Sequence, residues 1–192
     1  MYNNLDLLPI YGVNDLSSYY IHYMTCGKKE GRISTFAQET AFTEDILASY
    51  NTSYNTSEAR AINVELAAAR INGMIIKPGQ TFSFSDSVGT RTLANGYVVA
   101  PSYAGGRVVT SVGGGICQVS STLYVTMLLS AIPATSHYFH SLPVDYVPAG
   151  LDAAIVEGYK DLRFVNPYDY SIMIEATTTN GNLTVSLIKY LA

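Results

Sequence analysis

The chain has 192 residues, of which 48% are hydrophobic and 14% are charged, and it therefore predicts one folded domain, or one domain with a short extension, rather than a disordered protein. Its net charge of −4, from 11 basic and 15 acidic residues without a basic cluster, argues against a nucleic-acid partner. No apolar run approaches the roughly 18 residues of a membrane span, so no transmembrane segment is predicted in this chain.

The first 50 residues have no clear hydrophobic period and predict an N-terminal extension, followed by a domain over residues 51–192. Residues 35–50 fit a strand pair or a weak helix equally well. The first residues lack the basic and apolar stretches of a signal peptide. Residues 51–57, with their repeated Asn-Thr-Ser, are interpreted as turn and capping residues before a helix.

The clearest helix is predicted over residues 58–72, where apolar residues recur at intervals of three and four. Asn72 and Gly73 are typical of a helix C-terminus. The predicted apolar stripe consists of Ala59, Ile62, Leu66 and Ala69.

Short strands and turns follow this helix. Pro78 and Gly79 predict a type II turn, and the glycines at 105 and 106 predict a hairpin. Strands are predicted at residues 74–76, 81–85, 97–103 and 107–110.

A second helix is predicted over residues 117–131, after three glycines that end an extended stretch and before Pro133. The remainder is β-rich, and Asn180-Gly181 predicts a hairpin turn. This order of elements predicts an α+β fold with a mainly antiparallel sheet and two principal helices. The later strands are predicted around residues 137–147, 153–156, 162–165, 171–176 and 183–188.

Cys117 is the strongest candidate for a catalytic residue. A thiol attacks as its thiolate, and the N-terminus of a helix stabilises that anion. The glycines up to Gly115 let a substrate carbonyl approach backbone N–H groups, so that Gln118 or the N–H of Cys117 would stabilise an oxyanion. Ser121 and Tyr124 lie one turn further along nearly the same face and would line a cleft. The alternative, a buried structural cysteine, stays open.

A thiol nucleophile needs a base, and the base needs an orienting group. His140 follows Cys117 by 23 residues, and Asp152 follows 12 residues later, so the elements after the helix could return both to its start. The order Cys, His, Asp, with the cysteine opening a helix, is that of papain- and transglutaminase-like folds. A core histidine and a turn aspartate are the alternatives for these two residues.

Arg91 is a candidate for binding the carboxylate of a peptide, because a guanidinium grips a carboxylate with two hydrogen bonds. No metal and no cofactor are expected: on a strand His137 and His140 would point to opposite faces and would not converge with Cys117 on zinc. Cys26 could form a disulfide with Cys117. Because that bond would leave Cys117 without a thiol to act as nucleophile, a free Cys117 is favoured.

Several motifs over residues 52–188 resemble the VanW family, which is named for an accessory protein of vancomycin-resistance gene clusters. The most specific motif is the run Gly-Gly-Gly-Ile-Cys-Gln-Val-Ser-Ser-Thr-Leu-Tyr at residues 113–124. The others are Asn-Thr-Ser at 55–57, Lys-Pro-Gly-Gln-Thr-Phe-Ser-Phe at 77–84, Val-Gly-Thr-Arg-Thr at 88–92, His-Ser at 140–141, Val-Asp-Tyr-Val-Pro-Ala-Gly-Leu-Asp-Ala at 144–153 and Asp-Leu-Arg-Phe at 161–164.

The resemblance implies a bacterial cell-envelope protein, exported or membrane-anchored and therefore extracytoplasmic, in the setting of glycopeptide resistance. It implies no reaction. Three hypotheses follow for the site around Cys117: a thiol-dependent amide hydrolase or acyl transferase acting on cell-wall peptides, a non-catalytic module that binds peptidoglycan or peptide, and a structural spacer. The expected partner in the first two is a cell-wall peptide or peptidoglycan fragment, and the sequence leaves open whether the protein is an enzyme.

Overall fold

The computed structural model describes residues 46–104 and 106–191. Within these residues the chain is α+β with antiparallel strand pairing, which confirms the predicted fold class. The elements are β1 (Ile46–Ser53), α1 (Arg60–Ile71), β2 (Met74–Ile76), β3 (Thr81–Ser83), α2 (Phe84–Val88), β4 (Val99–Ala104), β5 (Arg107–Val112), α3 (Cys117–Leu129), β6 (Ala134–Ser136), β7 (Arg163–Val165), β8 (Ser171–Thr179) and β9 (Asn182–Tyr190).

The strands form three antiparallel groups. The main sheet has the order β1-β9-β8-β2, a smaller sheet has the order β3-β7-β6, and β4 pairs with β5 as a separate ribbon. The β8–β9 hairpin turns at Asn180 and Gly181, both with positive φ, as the Asn-Gly pair predicts. The boundary predicted between residues 50 and 51 falls inside β1, which pairs with β9 along its length.

The helix α3 is the centre of the core. Residues 118–128 are all buried, because α3 packs against β1 and β9 on one side and α1 on another. A helix buried on every face needs hydrogen-bond partners for each of its polar side chains. Its hydroxyls bond locally or to the sheet; the Thr52 and Thr122 hydroxyls lie 2.9 Å apart, for example. Only the first and last residues, Cys117 and Leu129, are partly accessible.

The helix α1 buries a different face from the predicted one. Ile62, placed in the predicted apolar stripe, is 51% exposed. Asn63 is fully buried instead, because its side chain bonds to the backbone of Val98 and to the carbonyl of Gly114 at 2.8–3.0 Å. Alanines occur on both faces of α1, so the sequence carries two apolar stripes and packing selects one. The buried stripe is Ala61, Val64, Ala68 and Ile71.

Three predicted strands differ from the observed structure. The strand predicted over 81–85 ends at Ser83, whose hydroxyl accepts a hydrogen bond from the N–H of Asp86 and caps α2. The strands predicted around 137–147 and 153–156 are wrong: between β6 and β7, all of which is described, only an isolated bridge between Val156 and Lys160 forms. The segment around Ala153 lies against the start of α3, where the hydroxyls of Ser120 and Ser121 bond to the carbonyl and the N–H of Ala153.

Within residues 46–104 and 106–191, no helix combines the length and the apolar character needed to cross a membrane. Cys117 is a free cysteine. Residues 1–45, including Cys26 and most of the predicted extension, lie outside the described residues.

Candidate active site

Three glycines bring the chain into α3 along a path that no larger residue could follow. A Cβ on Gly114 would lie only 2.4–2.5 Å from the carbonyl oxygens of Pro101 and Ala100. Gly113 and Gly115 have φ of +83° and +108°, which L side chains rarely adopt. The turn thus fits closely against β4, and Cys117 emerges as the first residue of α3, partly accessible.

Residues 152–156 run past the start of α3 and are held there by its polar side chains. The Ser121 hydroxyl accepts a hydrogen bond from the N–H of Ala153 at 2.8 Å and donates to the carbonyl of Cys117 at 2.7 Å. The N–H of Ile155 points at the Cys117 sulfur at 3.4 Å. The predicted cleft residue Ser121 is therefore fully buried and fixes this segment beside the thiol.

The structure brings Cys117, His140 and Asp152 together. One carboxylate oxygen of Asp152, Oδ2, accepts hydrogen bonds from both the backbone N–H and the ring Nδ1 of His140, each at 2.7 Å. The Cys117 thiol lies within hydrogen-bonding reach of the same imidazole. The three residues, which are separated by up to 35 positions in the chain, thus lie side by side at the start of α3.

The electrostatics of this arrangement favour a charged His140. Burial alone would lower the pKa of His140, but its hydrogen bonds to Asp152 and Cys117 and the negative charges of both groups outweigh burial and raise the pKa from 6.5 to about 9. Burial also opposes ionisation of Asp152, yet the hydrogen bonds from His140 hold the pKa of that carboxyl below its usual range. At neutral pH an imidazolium therefore stands between a carboxylate and the sulfur.

His137 supports Asp152 from the other side, a role that the sequence did not suggest. Its Nε2 lies 2.7 Å from the carbonyl oxygen of Asp152, and its ring stacks on Tyr124 with centroids 3.9 Å apart. Burial lowers the pKa of His137 despite the nearby Asp152 charge, so the ring is neutral at pH 7 and Nε2–H donates. Tyr124, predicted to line the cleft, is 3% exposed and packs beneath His137 instead. Among the described residues no group of His, Cys, Asp or Glu could hold a metal ion.

Gln118 points away from the thiol. Its side-chain amide donates to the Thr52 hydroxyl at 3.0 Å and to the carbonyl of Ser53 at 2.9 Å, both in β1. Its oxygen accepts a hydrogen bond from Arg60 at 3.1 Å. Since both amide hydrogens are already donated, the side chain has none left for the oxyanion role predicted for it, and Gln118 instead joins α3, β1 and α1.

Arg60 and Tyr146 lie at the site although neither was predicted there. Arg60 crosses Gly115, where an added Cβ would lie 3.1 Å from the Arg60 Cβ, and its guanidinium carbon is 5.8 Å from the centroid of the Tyr146 ring. Tyr146 lies close enough to Cys117 to respond to a charge on the sulfur. Burial raises the pKa of Tyr146, and the negative charge of Cys117 raises it further, so the hydroxyl is protonated at neutral pH.

Arg91 lies outside the group of Cys117, His140 and Asp152 and lines a neighbouring cavity of about 350 Å³. Its side chain packs over Gly113, and its Nε lies 3.7 Å from a carboxylate oxygen of Glu157. Glu157 follows Ile155 by two residues, so the segment that touches the thiol continues directly into the cavity wall. The cavity is lined by Ser85, Asp86, Val88, Gly89, Thr90, Arg91, Glu157 and Gly158.

Comparison with known proteins bears out the resemblance found in the sequence. The chain matches the family described as VanW like protein over residues 59–188. It is 39% identical over 142 residues to YoaR, an uncharacterized protein of Bacillus subtilis, covering 73% of this chain and 47% of YoaR. It is 34% identical over 143 residues to the vancomycin B-type resistance protein VanW of Enterococcus faecalis, covering 70% and 52% respectively. The chain thus spans about half the length of the curated relatives it matches. No solved structure is detectably similar to it, so the comparison with papain- and transglutaminase-like folds stays a prediction.

Proposed function

Because this chain belongs to the family of VanW-like proteins, we propose that it is an extracytoplasmic cell-envelope protein whose Cys117 site hydrolyses or transfers an amide bond of a cell-wall peptide. The observation that carries the proposal is the grouping of Cys117, His140 and Asp152 at the accessible start of α3. A buried structural cysteine needs neither an imidazole nor a carboxylate beside it.

The proposed reaction begins with the thiolate of Cys117. The sulfur attacks the carbonyl carbon of the amide, a C–S bond forms, and the carbonyl π electrons move onto oxygen. As the oxyanion collapses, the C–N bond breaks and the imidazolium of His140 gives its proton to the leaving amine. Water or an acceptor amine then attacks the thioester carbonyl and passes a proton to His140, and the C–S bond breaks to release Cys117 as the thiolate beside the imidazolium, as at the start. Asp152 keeps the ring oriented and stabilises its positive charge throughout.

The cavity beside Arg91 would hold the peptide. A guanidinium that is partly buried binds a carboxylate strongly, and the Arg91 side chain is only 15% exposed. Glu157 bonds to Arg91 on one side, which leaves a site of mixed charge suited to an amino-acid unit with both an anionic and a cationic group. The C-terminal residue of a peptide offers the anionic group, and an amine on its side chain would supply the cationic one. The relative named a vancomycin B-type resistance protein supports a role in the setting of glycopeptide resistance.

A second candidate is a non-catalytic module that binds cell-wall peptides, and the Arg91 cavity is the observation that favours it. In that case Cys117 would be a small residue at a tight helix entry, and ligand binding would not depend on its sulfur.

The experiment uses the full chain with Cys26→Ala, so that Cys117 is the remaining thiol, and Cys26→Ala/Cys117→Ala as its matched control. Both proteins are incubated with solubilised peptidoglycan fragments, and mass spectrometry follows the fragments and any acyl adduct on the protein. Cleavage or exchange of an amide by the first protein and not by the second is expected. Binding of fragments by both proteins without turnover would contradict catalysis and favour the binding module. Alkylation of Cys117 by iodoacetamide no faster in the folded than in the urea-unfolded protein would also contradict an activated thiol.

A further inference from the structure

We propose that the backbone N–H of Ile155 stabilises the thiolate of Cys117, and that Ser121 is a positioning residue that aims this N–H at the sulfur. This inference rests on the proposed function, because it assigns the group that holds the sulfur anion before it attacks. It also gives Ser121 a role different from the predicted one, in which its side chain would line a cleft.

The Cys117 sulfur meets both backbone groups of Ile155. The N–H of Ile155 donates to the sulfur at 3.4 Å, and the thiol can donate to the carbonyl oxygen of the same residue at 3.8 Å. Ionisation removes the thiol proton, so the bond to the carbonyl is lost, while the bond from the N–H remains and becomes charge-assisted. The N–H, which is the closer of the two groups, therefore favours the anion over the neutral thiol.

Ala153, two residues earlier in the chain, is held against α3 by hydroxyls on both of its backbone groups. The Ser121 hydroxyl accepts a hydrogen bond from the Ala153 N–H at 2.8 Å, and the Ser120 hydroxyl donates to the Ala153 carbonyl at 2.7 Å. All three residues are at most 1% exposed, so water does not compete for these groups. The position of Ala153 is thus fixed by two side chains of the first turn of α3.

The backbone of this segment alternates in direction as it does in a β-strand. Ala153 and Ile155 both direct their N–H and carbonyl groups at α3. The N–H of Ala154 between them faces the opposite side and donates to the carbonyl of Tyr138 at 2.8 Å. Backbone groups two residues apart on an extended chain lie on the same side. The hydrogen bonds that hold Ala153 therefore also set the direction of the Ile155 N–H.

The Ser121 hydroxyl links the residue that carries the sulfur to the segment that carries the donor. It donates to the carbonyl of Cys117 at 2.7 Å while it accepts from Ala153. Without this hydroxyl the Ala153 N–H would be buried and unpartnered, so the segment would shift and the contact at the sulfur would weaken. The buried hydroxyl of Ser130 donates to the carbonyl of Thr126 at 2.9 Å, at the far end of α3, and has no such link to the sulfur.

The test measures the alkylation of Cys117 by iodoacetamide in the Cys26→Ala protein, at pH 6 and at pH 10, by mass spectrometry. Because the thiolate is the reacting species, the rate at pH 6 reports how far the site favours the anion, and the rate at pH 10 reports access to the sulfur. We expect Ser121→Ala to lower the rate at pH 6 about tenfold and to change the rate at pH 10 by less than about twofold. Ser130→Ala, the loss of a buried hydroxyl from the same helix, is the matched control and should change neither rate.

A backbone replacement removes the proposed donor directly. The α-hydroxy acid analogue of isoleucine, introduced at position 155 by nonsense suppression, replaces the N–H of Ile155 by an ester oxygen and keeps the side chain. It should lower the alkylation rate at pH 6 at least as much as Ser121→Ala. The corresponding ester at Leu151, whose N–H donates to the carbonyl of Pro148 at 3.0 Å, is its matched control and should leave both rates unchanged.

Urea denaturation at both pH values shows which variants are folded. If Ser121→Ala is unfolded, the ester at position 155 decides the question, because it leaves every side chain in place. Rates are compared between variants at the same pH, so the charges near the sulfur enter each comparison equally. The ionisable groups on the elements around the sulfur are present in every variant: His140, Asp152, Tyr146, Arg60 and Glu157.

The ratio of the rate at pH 6 to the rate at pH 10 separates the outcomes. If this ratio is no higher in the folded Cys26→Ala protein than in the same protein unfolded in urea, the site holds no stabilised thiolate, and both the proposed function and the inference fail. A raised ratio that survives either Ser121→Ala or the ester at position 155 refutes the inference and leaves the proposed function standing. An equal loss in Ser130→Ala also refutes the inference, because it would show a general loosening of α3.

Discussion

A single oxygen of Asp152, Oδ2, binds both the backbone N–H and the ring Nδ1 of His140, at 2.7 Å each. The backbone bond fixes Oδ2 beside His140, and the imidazole cannot turn away from Cys117 without breaking its own bond to that oxygen. Since Nδ1–H is donated to the carboxylate, Nε2 is the nitrogen that would exchange a proton with the sulfur or the leaving group. A candidate base is thereby held in one orientation before any substrate arrives.

The first prediction concerns stability and pH. The pKa of His140 is about 9 in the folded protein and 6.5 when exposed, so the folded state holds the proton more tightly. The stabilisation from the charged ring is therefore fully present below pH 6.5 and is lost as pH rises through about 9, an effect of roughly 3 kcal/mol. The difference in unfolding free energy between the unsubstituted protein and His140→Gln, measured by urea denaturation, should shrink over this range. His137 is present in both proteins, so its contribution to the pH dependence of the unfolding free energy cancels in the difference. A difference that stays constant from pH 6 to pH 10 would show that the ring is not charged in the fold.

The second prediction concerns the leaving group. An amine leaves only when it is protonated, and the imidazolium of His140 would supply that proton, whereas p-nitrophenolate leaves without one. Hydrolysis of an alanyl p-nitroanilide should therefore fall as pH rises through about 9, where His140 loses its proton. The rate of acylation by p-nitrophenyl acetate should not fall over the same pH range. Rates for Cys117→Ala are subtracted at each pH. A parallel fall for both substrates would mean that His140 is not the general acid.

The third prediction concerns His137. Replacing it by Phe keeps a ring against Tyr124 but removes the donor to the carbonyl of Asp152. A buried carbonyl without its partner costs about 1–3 kcal/mol, so the urea midpoint should fall accordingly. His137→Gln can keep a donor at similar reach and should lose less. Loss of the donor should also slow Cys117 alkylation, because Asp152 would no longer be held for His140. A His137→Phe protein as stable as His137→Gln would contradict this prediction, and one more stable than His137→Gln would show that the stacking contributes more than the hydrogen bond.

The fourth prediction concerns Arg91. In a Cys117→Ala background, which prevents turnover, Arg91→Gln keeps most of the side chain over Gly113 but removes the charge. The dissociation constant for a short cell-wall peptide with a free carboxylate should rise about 10-fold or more, as for the loss of a charge-assisted hydrogen bond. The same peptide with an amidated C-terminus serves as the control and should bind both proteins equally. Calorimetric titration measures both constants. Equal weakening for the two peptides would place the carboxylate elsewhere.

Local sequence patterns predicted the start of α3 correctly, but they did not predict the buried face of α1 or the structure around His140 and Asp152. The glycine run before Cys117 and the apolar residues after it predict a helix start, and the structure begins α3 at that residue. The sequence did not reveal which face of α1 is buried, because its alanines suit either face. Burial of Asn63 is explained only by its hydrogen bonds to the backbone of Val98 and Gly114. The strands expected near His140 and Asp152 failed for a similar reason: their backbone groups bond to side chains of α3 or to each other, and alternation of residue types does not reveal such contacts.

The sequence by itself determined the α+β class, the family and the presence of a thiol at a helix entry, since these depend on short-range periodicity, on the conformations open to glycine and on specific motifs. Only the tertiary structure decided that His140 meets Asp152 and the sulfur while His137 supports the Asp152 backbone, that Gln118 bonds to β1, and that Arg60 and Tyr146 enter the site. These partners are tens of residues apart. The packing of α3 against the sheet and α1 determines which of these residues come into contact. That packing depends on the whole chain and not on any local pattern.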